Sequence, residues 1–97
     1  MPISKQYLKT KPVCKVTFTV PAEEAFSVVV AGDFNNWSTT DALKKLKNGT
    51  FKGTFNLPKD TVVEFRYVVD GTWVNETEAD AYIWNDFAAA ENSVLEL

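Results

Sequence analysis

Val28 to Trp37, VVVAGDFNNW, runs from an apolar strand into a tight polar corner and ends on one large aromatic. The β-branched and small run Val28-Val29-Val30-Ala31 suits a strand buried on both faces or close to it. Gly32 marks a place where a side chain would not fit or where the backbone needs an unusual dihedral. Asp33, Asn35 and Asn36 have short polar side chains that bond to nearby backbone and tolerate left-handed conformations, so a sharp turn is expected. Phe34 is expected to anchor that corner in the core. Trp37 then either plugs one end of the core or is presented from a loop as a flat plate.

Upstream, Val13–Val20 (VCKVTFTV) places Val16, Phe18 and Val20 on one face and Lys15, Thr17 and Thr19 on the other, the pattern of a half-buried strand. Residues 1–12, with Lys5, Lys9 and Lys11 and little to bury, read as a loosely held, flexible N-terminal arm ahead of a domain at 13–97. Downstream, Asn48-Gly49 favours a type I′ hairpin turn between Leu43–Lys47 and Phe51–Leu57. Thr61–Val69 (TVVEFRYVV) turns Val63, Phe65, Tyr67 and Val69 to one face and Glu64 and Arg66 to the other. Asp70-Gly71 is a second hairpin signal, with a short return strand at Trp73–Asn75. Glu76–Asp86 lacks a period and reads as a long surface loop, and Asn92–Leu97 closes the chain as a final strand. About seven short strands and no convincing helix indicate an all-β fold, an antiparallel immunoglobulin-like β-sandwich.

At 97 residues the chain is one domain, too short for a (β/α)₈ barrel of about 250 residues. The net charge is −3, and an acidic chain with a single Arg is a poor candidate for nucleic acid. One cysteine, Cys14, permits no internal disulfide and reads as a small buried hydrophobe. No signal-like apolar region follows Met1 and no apolar run approaches about 18 residues, so no membrane partner and a cytoplasmic location are the expectation. The sequence has no His, which excludes His-based triads and His metal sites, and one Cys cannot build a zinc site. There is no Gly-rich phosphate loop. No cofactor, no metal and no catalysis are therefore expected.

What remains is aromatic: three Trp, three Tyr and seven Phe, more than one small core needs. Trp37, Trp73 and Trp84 all fall in or beside loops. A pyranose ring has an apolar face of C–H groups and an equator of hydroxyls, so its natural receptor is a flat aromatic flanked by amide and guanidinium donors. Asn35, Asn36, Arg66, Asn75, Asn85 and Asn92 supply such groups, although most of the Asn residues have the plain alternative of a turn satisfied by its own backbone.

AGDFNNW at Ala31–Trp37, FRYVVDGTW at Phe65–Trp73 and ENSVLEL at Glu91–Leu97 resemble carbohydrate-binding module family 48. That family includes isoamylase N-terminal (early set) domains and the glycogen-binding domain of the AMP-activated protein kinase beta subunit. The resemblance implies a non-catalytic module for α-1,4-glucan, with Trp37 and Trp73 as the sugar platform and Arg66 and Asn92 as hydroxyl contacts. It also implies that Phe87 stands near the place of an apolar residue that pushes against the sugar chain. The segment Asp80–Ala90 departs from the kinase pattern, leaving Trp84 as either a third contact or a lid over the core. The rival expectation is a protein-interaction or structural module that docks to, or was excised from, a glucan-active glycoside hydrolase family 13 enzyme. The start at Met1 and the halt at the last strand favour a free-standing protein.

Overall fold

The structure, a computed structural model, describes residues 3–97. Its strands are β1 (Ile3–Tyr7), β2 (Val13–Pro21), β3 (Val28–Gly32), β4 (Lys44–Lys45), β5 (Thr50–Pro58), β6 (Val62–Val69), β7 (Thr72–Val74), β8 (Ala81–Asn85) and β9 (Ala90–Glu96), with one 3-10 turn at Asp33–Asn35. They pair into two antiparallel sheets, one in the order β1-β2-β5-β4 and the other β3-β6-β9-β8 with β7 added to β6. The fold is all-β and its two sheets form a small sandwich. Among the described residues no helix is long and apolar enough to cross a membrane.

The core follows from the period-2 patterns. Cys14, Val16, Phe18 and Val20 of β2 meet Phe51 and Leu57 of β5 on one side, and Val28, Val30, Val63, Phe65, Tyr67 and Leu95 on the other. Phe18 lies at the centre, with the rings of Phe34, Phe55, Phe65 and Tyr67 all between 5.3 and 6.1 Å of it. Offset and edge-on contacts of this kind suit the aromatic quadrupole. None of Trp37, Trp73 and Trp84 is part of this core or packed against it.

Three segments differ from the sequence expectations. Ile3–Tyr7, expected within a loose arm, pairs with Cys14–Phe18 as an edge strand, and Lys5 is fastened to Asp80 and to the Glu96 carbonyl. Met1 and Pro2 of that arm lie outside the described residues. At Asn48-Gly49 only Gly49 has positive φ, +86°, so the type I′ turn does not form. Gly49 N–H instead donates to Leu46 O at 3.0 Å, and Leu46 N–H to Thr50 O at 2.7 Å, a three-residue loop with glycine in the left-handed position. Asp70-Gly71 does take positive φ at both residues, 49° and 86°, as a type I′ turn requires.

The third difference is at Glu76–Asp86. Ala81–Asn85 is strand β8, paired with Ala90–Val94 of β9, and Glu76 is fully buried. The period is illegible because β8 is an edge strand with no face fully covered, so Tyr82, Ile83 and Trp84 succeed one another, all exposed. The turn between β8 and β9 is closed by Asn85 Oδ1, which accepts from Phe87 N–H, and by Ala89 at φ 52°. No Asn-Gly or Asp-Gly pair announces it.

Strand β6 organises the second sheet. One edge pairs with β3 along Phe65–Val69, while the other is taken by β9 at Val62–Phe65 and by β7 at Tyr67–Val69. Arg66 stands at the junction where the neighbour changes from β9 to β7. Asn75 bridges the gap, donating to Glu91 O and accepting from Ser93 Oγ.

Candidate functional site

The corner after β3 is built by a carboxamide, Asn35, and a carboxylate, Asp33. Asn35 Oδ1 accepts from Gly32 N–H at 2.9 Å, and its Nδ2 donates to Val30 O at 3.0 Å and Asp41 Oδ2 at 2.8 Å. Asp33 Oδ2 accepts from Glu64 N–H at 3.0 Å on β6, while its Oδ1 accepts from Trp37 Nε1 at 3.1 Å. One carboxylate thus ties the Trp37 indole to the backbone of the central strand. Asn36 takes the expected left-handed conformation at φ 55°, and Trp37 does so too, at φ 57°. For a bulky residue that is an outlier costing on the order of 1–3 kcal/mol. The surrounding bonds hold it, including Trp37 N–H to Gly32 O at 2.8 Å.

Trp73 enters from β7, opposite Val68 of β6. It is 41% exposed, and the Arg66 guanidinium carbon lies 5.6 Å from its ring centroid, a cation–π contact that holds both side chains. Asn92, on β9, is only 3% exposed. Its Nδ2 donates to Glu64 Oε1 at 3.0 Å, which fixes the amide orientation because a carboxylate only accepts.

Trp37, Arg66, Trp73 and Asn92 line one groove of about 640 Å³, together with Asn85, Phe87, Ala88 and Ala90. Four positions far apart in the chain are brought together by the outer face of the second sheet and the corner above it. Two polar atoms of this group are buried without a hydrogen-bond partner: Arg66 Nε and Asn92 Oδ1. One is a donor and the other an acceptor. Left unsatisfied, such groups cost about 1–3 kcal/mol each.

The other polar candidates are otherwise engaged. Asn35 is consumed by the corner, Asn75 by the β7–β9 junction, and Asn85 by the β8–β9 turn, although Asn85 also borders the groove. Phe87 is fully exposed at the rim. Trp84, 59% exposed with Nε1 donating to Asp86 Oδ1 at 2.6 Å, is no lid over the core. Ala88 and Ala90 carry no functional group, so only the turn geometry reveals their place in the lining. Among the described residues no cluster of His, Cys, Asp or Glu could hold a metal ion.

A comparison with the curated proteins finds no significant match. Residues 15–97 match the family model for the glycogen recognition site of AMP-activated protein kinase, which covers both sheets except β1 and the start of β2, and includes every lining residue of the groove. The chain therefore belongs to this family of glycogen recognition domains, which are carbohydrate-binding modules.

Proposed function

We propose that the chain is a non-catalytic module that binds linear α-1,4-glucan (glycogen, starch or maltooligosaccharide), with glucose rings stacked on Trp37 and Trp73. Arg66 and Asn92 fix the hydroxyls between them. The observation that carries this reading is the gathering of Trp37, Arg66, Trp73 and Asn92 along one groove. A sugar hydroxyl donates and accepts at once, so a guanidinium and a carboxamide both suit it. Family membership supports glucan as the ligand, and two indoles outside the core supply the apolar plates.

Each stacked ring would bury on the order of 50 to 100 Å² of apolar surface, worth roughly 1 to 2.5 kcal/mol before ordering costs. Two such contacts with a few hydrogen bonds correspond to a dissociation constant between about 10 μM and 1 mM. Because the ligand is neutral, the affinity should be nearly independent of salt.

The test is a titration of intrinsic Trp fluorescence with maltoheptaose, at low and high salt, on the wild type and on Trp37→Ala and Trp73→Ala. Saturable, salt-insensitive binding lost in both folded variants is the expected result. No response up to about 10 mM, well above the weakest affinity expected, would overturn the reading and leave a protein-interaction module in its place.

A further inference from the structure

Beside the groove lies a second bay of about 510 Å³, bordered by Ile83, Trp84, Asp86 and Glu64. The two adjoin, for Trp37 and Asn92 line both. We infer that Trp84 is a third stacking surface, so that the site takes an α-glucan chain longer than Trp37 and Trp73 span. This rests on the glucan reading of the first groove.

Trp84 and Trp37 are held by the same device. Each indole N–H donates to the carboxylate of a neighbour in sequence, Trp84 to Asp86 at 2.6 Å and Trp37 to Asp33 at 3.1 Å. The bond occupies the polar edge of the indole and restricts its rotation while the ring faces stay available. A ring restrained before the ligand arrives loses less side-chain entropy on binding. Trp84 covers no part of the core, so its 59% exposure has no packing role to explain it.

The walls of the bay define the ligand chemistry. Asp33, Glu64 and Asp86 border it, and each carboxylate retains acceptor capacity beyond the one or two bonds it makes inside the protein. Three acceptor groups repel an anion and suit the hydroxyl donors of a neutral polyol. Asn92, which borders both bays, stands where the chain would pass from one to the other.

The experiment measures affinity along a series from maltotriose to maltodecaose for the wild type, Trp84→Leu and Trp84→Tyr, with thermal melts to compare folding. Expected is a wild-type affinity that climbs along the series, and a Trp84→Leu variant that equals it on maltotriose yet binds the longest ligands about five- to tenfold more weakly. Trp84→Tyr, which keeps an aromatic face, should retain most of the gain. Equal affinity of Trp84→Leu and wild type at every length would overturn the assignment, and so would the same proportional loss at every length. A wild type that binds no member of the series would overturn the glucan reading and this inference together.

Discussion

Gly32→Ala tests the connection between the fold and the proposed site. A Cβ at this position would stand 2.6 Å from the Glu64 carbonyl oxygen, 2.8 Å from Phe65 Cβ and 2.9 Å from a ring carbon of Phe34. Ordinary carbon contacts lie at about 3.5 to 4.0 Å, so relief requires movement of about 0.5 to 1 Å. Two of the obstacles belong to strand β6 and cannot swing aside. The φ of Gly32 is −167°, extended backbone that any residue adopts, so the penalty is steric. Overpacking by one methyl costs typically about 1–3 kcal/mol, and the upper half of that range applies where backbone must yield. For a domain of this size that lowers the melting midpoint by roughly 8 to 20 °C.

The same displacement would pull Asp33 from Glu64 N–H and release the Trp37 indole, so maltoheptaose affinity should fall in the fraction that remains folded. Circular dichroism melts and a titration well below the midpoint measure both effects. Gly53→Ala is the control, since its Cβ would meet the far end of the flexible Leu43 side chain, Cδ2 at 2.5 Å, with the next atoms at 3.6 Å and beyond. A Gly32→Ala midpoint within about 1 °C of wild type would refute the reasoning.

Tyr67→Phe removes the hydroxyl that donates to Glu76 Oε1 at 2.8 Å; the buried carboxylate loses a donor, and urea denaturation should report about 1–3 kcal/mol less stability. Burial, reinforced by the Glu76 charge and hydrogen bond, pushes the Tyr67 phenol far above its ordinary range, so ultraviolet titration should leave it protonated in the native protein past pH 11, about a unit above a free tyrosine. Burial raises the Asp80 carboxyl, but the Lys5 hydrogen bond, the Glu96 N–H and the Lys5 charge outweigh it and hold the pKa below the ordinary value. A depressed carboxyl contributes stability that is complete above its unfolded value and is lost as pH falls through the folded one. Lys5→Met should therefore flatten the acid limb of the stability–pH curve below about pH 4 and cost at most about 1 kcal/mol at neutral pH, because the pair is partly exposed. Asp70→Ala takes away the acceptor shared by Phe26 N–H and Ser27 N–H, at 2.9 and 2.8 Å; a loss of about 1–2 kcal/mol in denaturation is expected, and an unchanged stability would show that water replaces it.

The strands with one covered face were legible because burial imposes a period of two on them. Cys14 to Val20 and Val63 to Val69 are such cases, and their core residues sit where alternation puts them. Two fates offered for Gly32, lack of room or an unusual dihedral, are separated only by the approach of β6, which no local pattern encodes. Strand β8 was missed for the opposite reason, since an edge strand exposed on both faces has no period to display. Buried Glu76 was missed because its partners, Tyr67 and Ser93, lie on other strands. Among the candidate site residues, the groove gathers Trp37, Arg66, Trp73 and Asn92, while the lining by Ala88 and Ala90 depends on a turn whose left-handed Ala89 has no sequence signal.

The strain at Trp37 and the unpartnered atoms at Arg66 and Asn92 have the same physical consequence. Each is a local cost that the rest of the sandwich must over-determine, and each falls on the groove rather than elsewhere on the surface. A flexible aromatic loop would avoid the left-handed Trp, but it would lose rotamer and backbone freedom on every binding event, about 0.5–1.5 kcal/mol per immobilised side chain. Against stacking contacts of roughly 1 to 2.5 kcal/mol, that loss would consume much of the gain. The bonds from Asp33 to Trp37 and to Glu64 N–H transfer the ordering to folding, where the Phe18-centred core supports it. A weak-binding site for a neutral polymer needs that transfer more than a charged site does, since it has no long-range attraction to offset ordering at the surface.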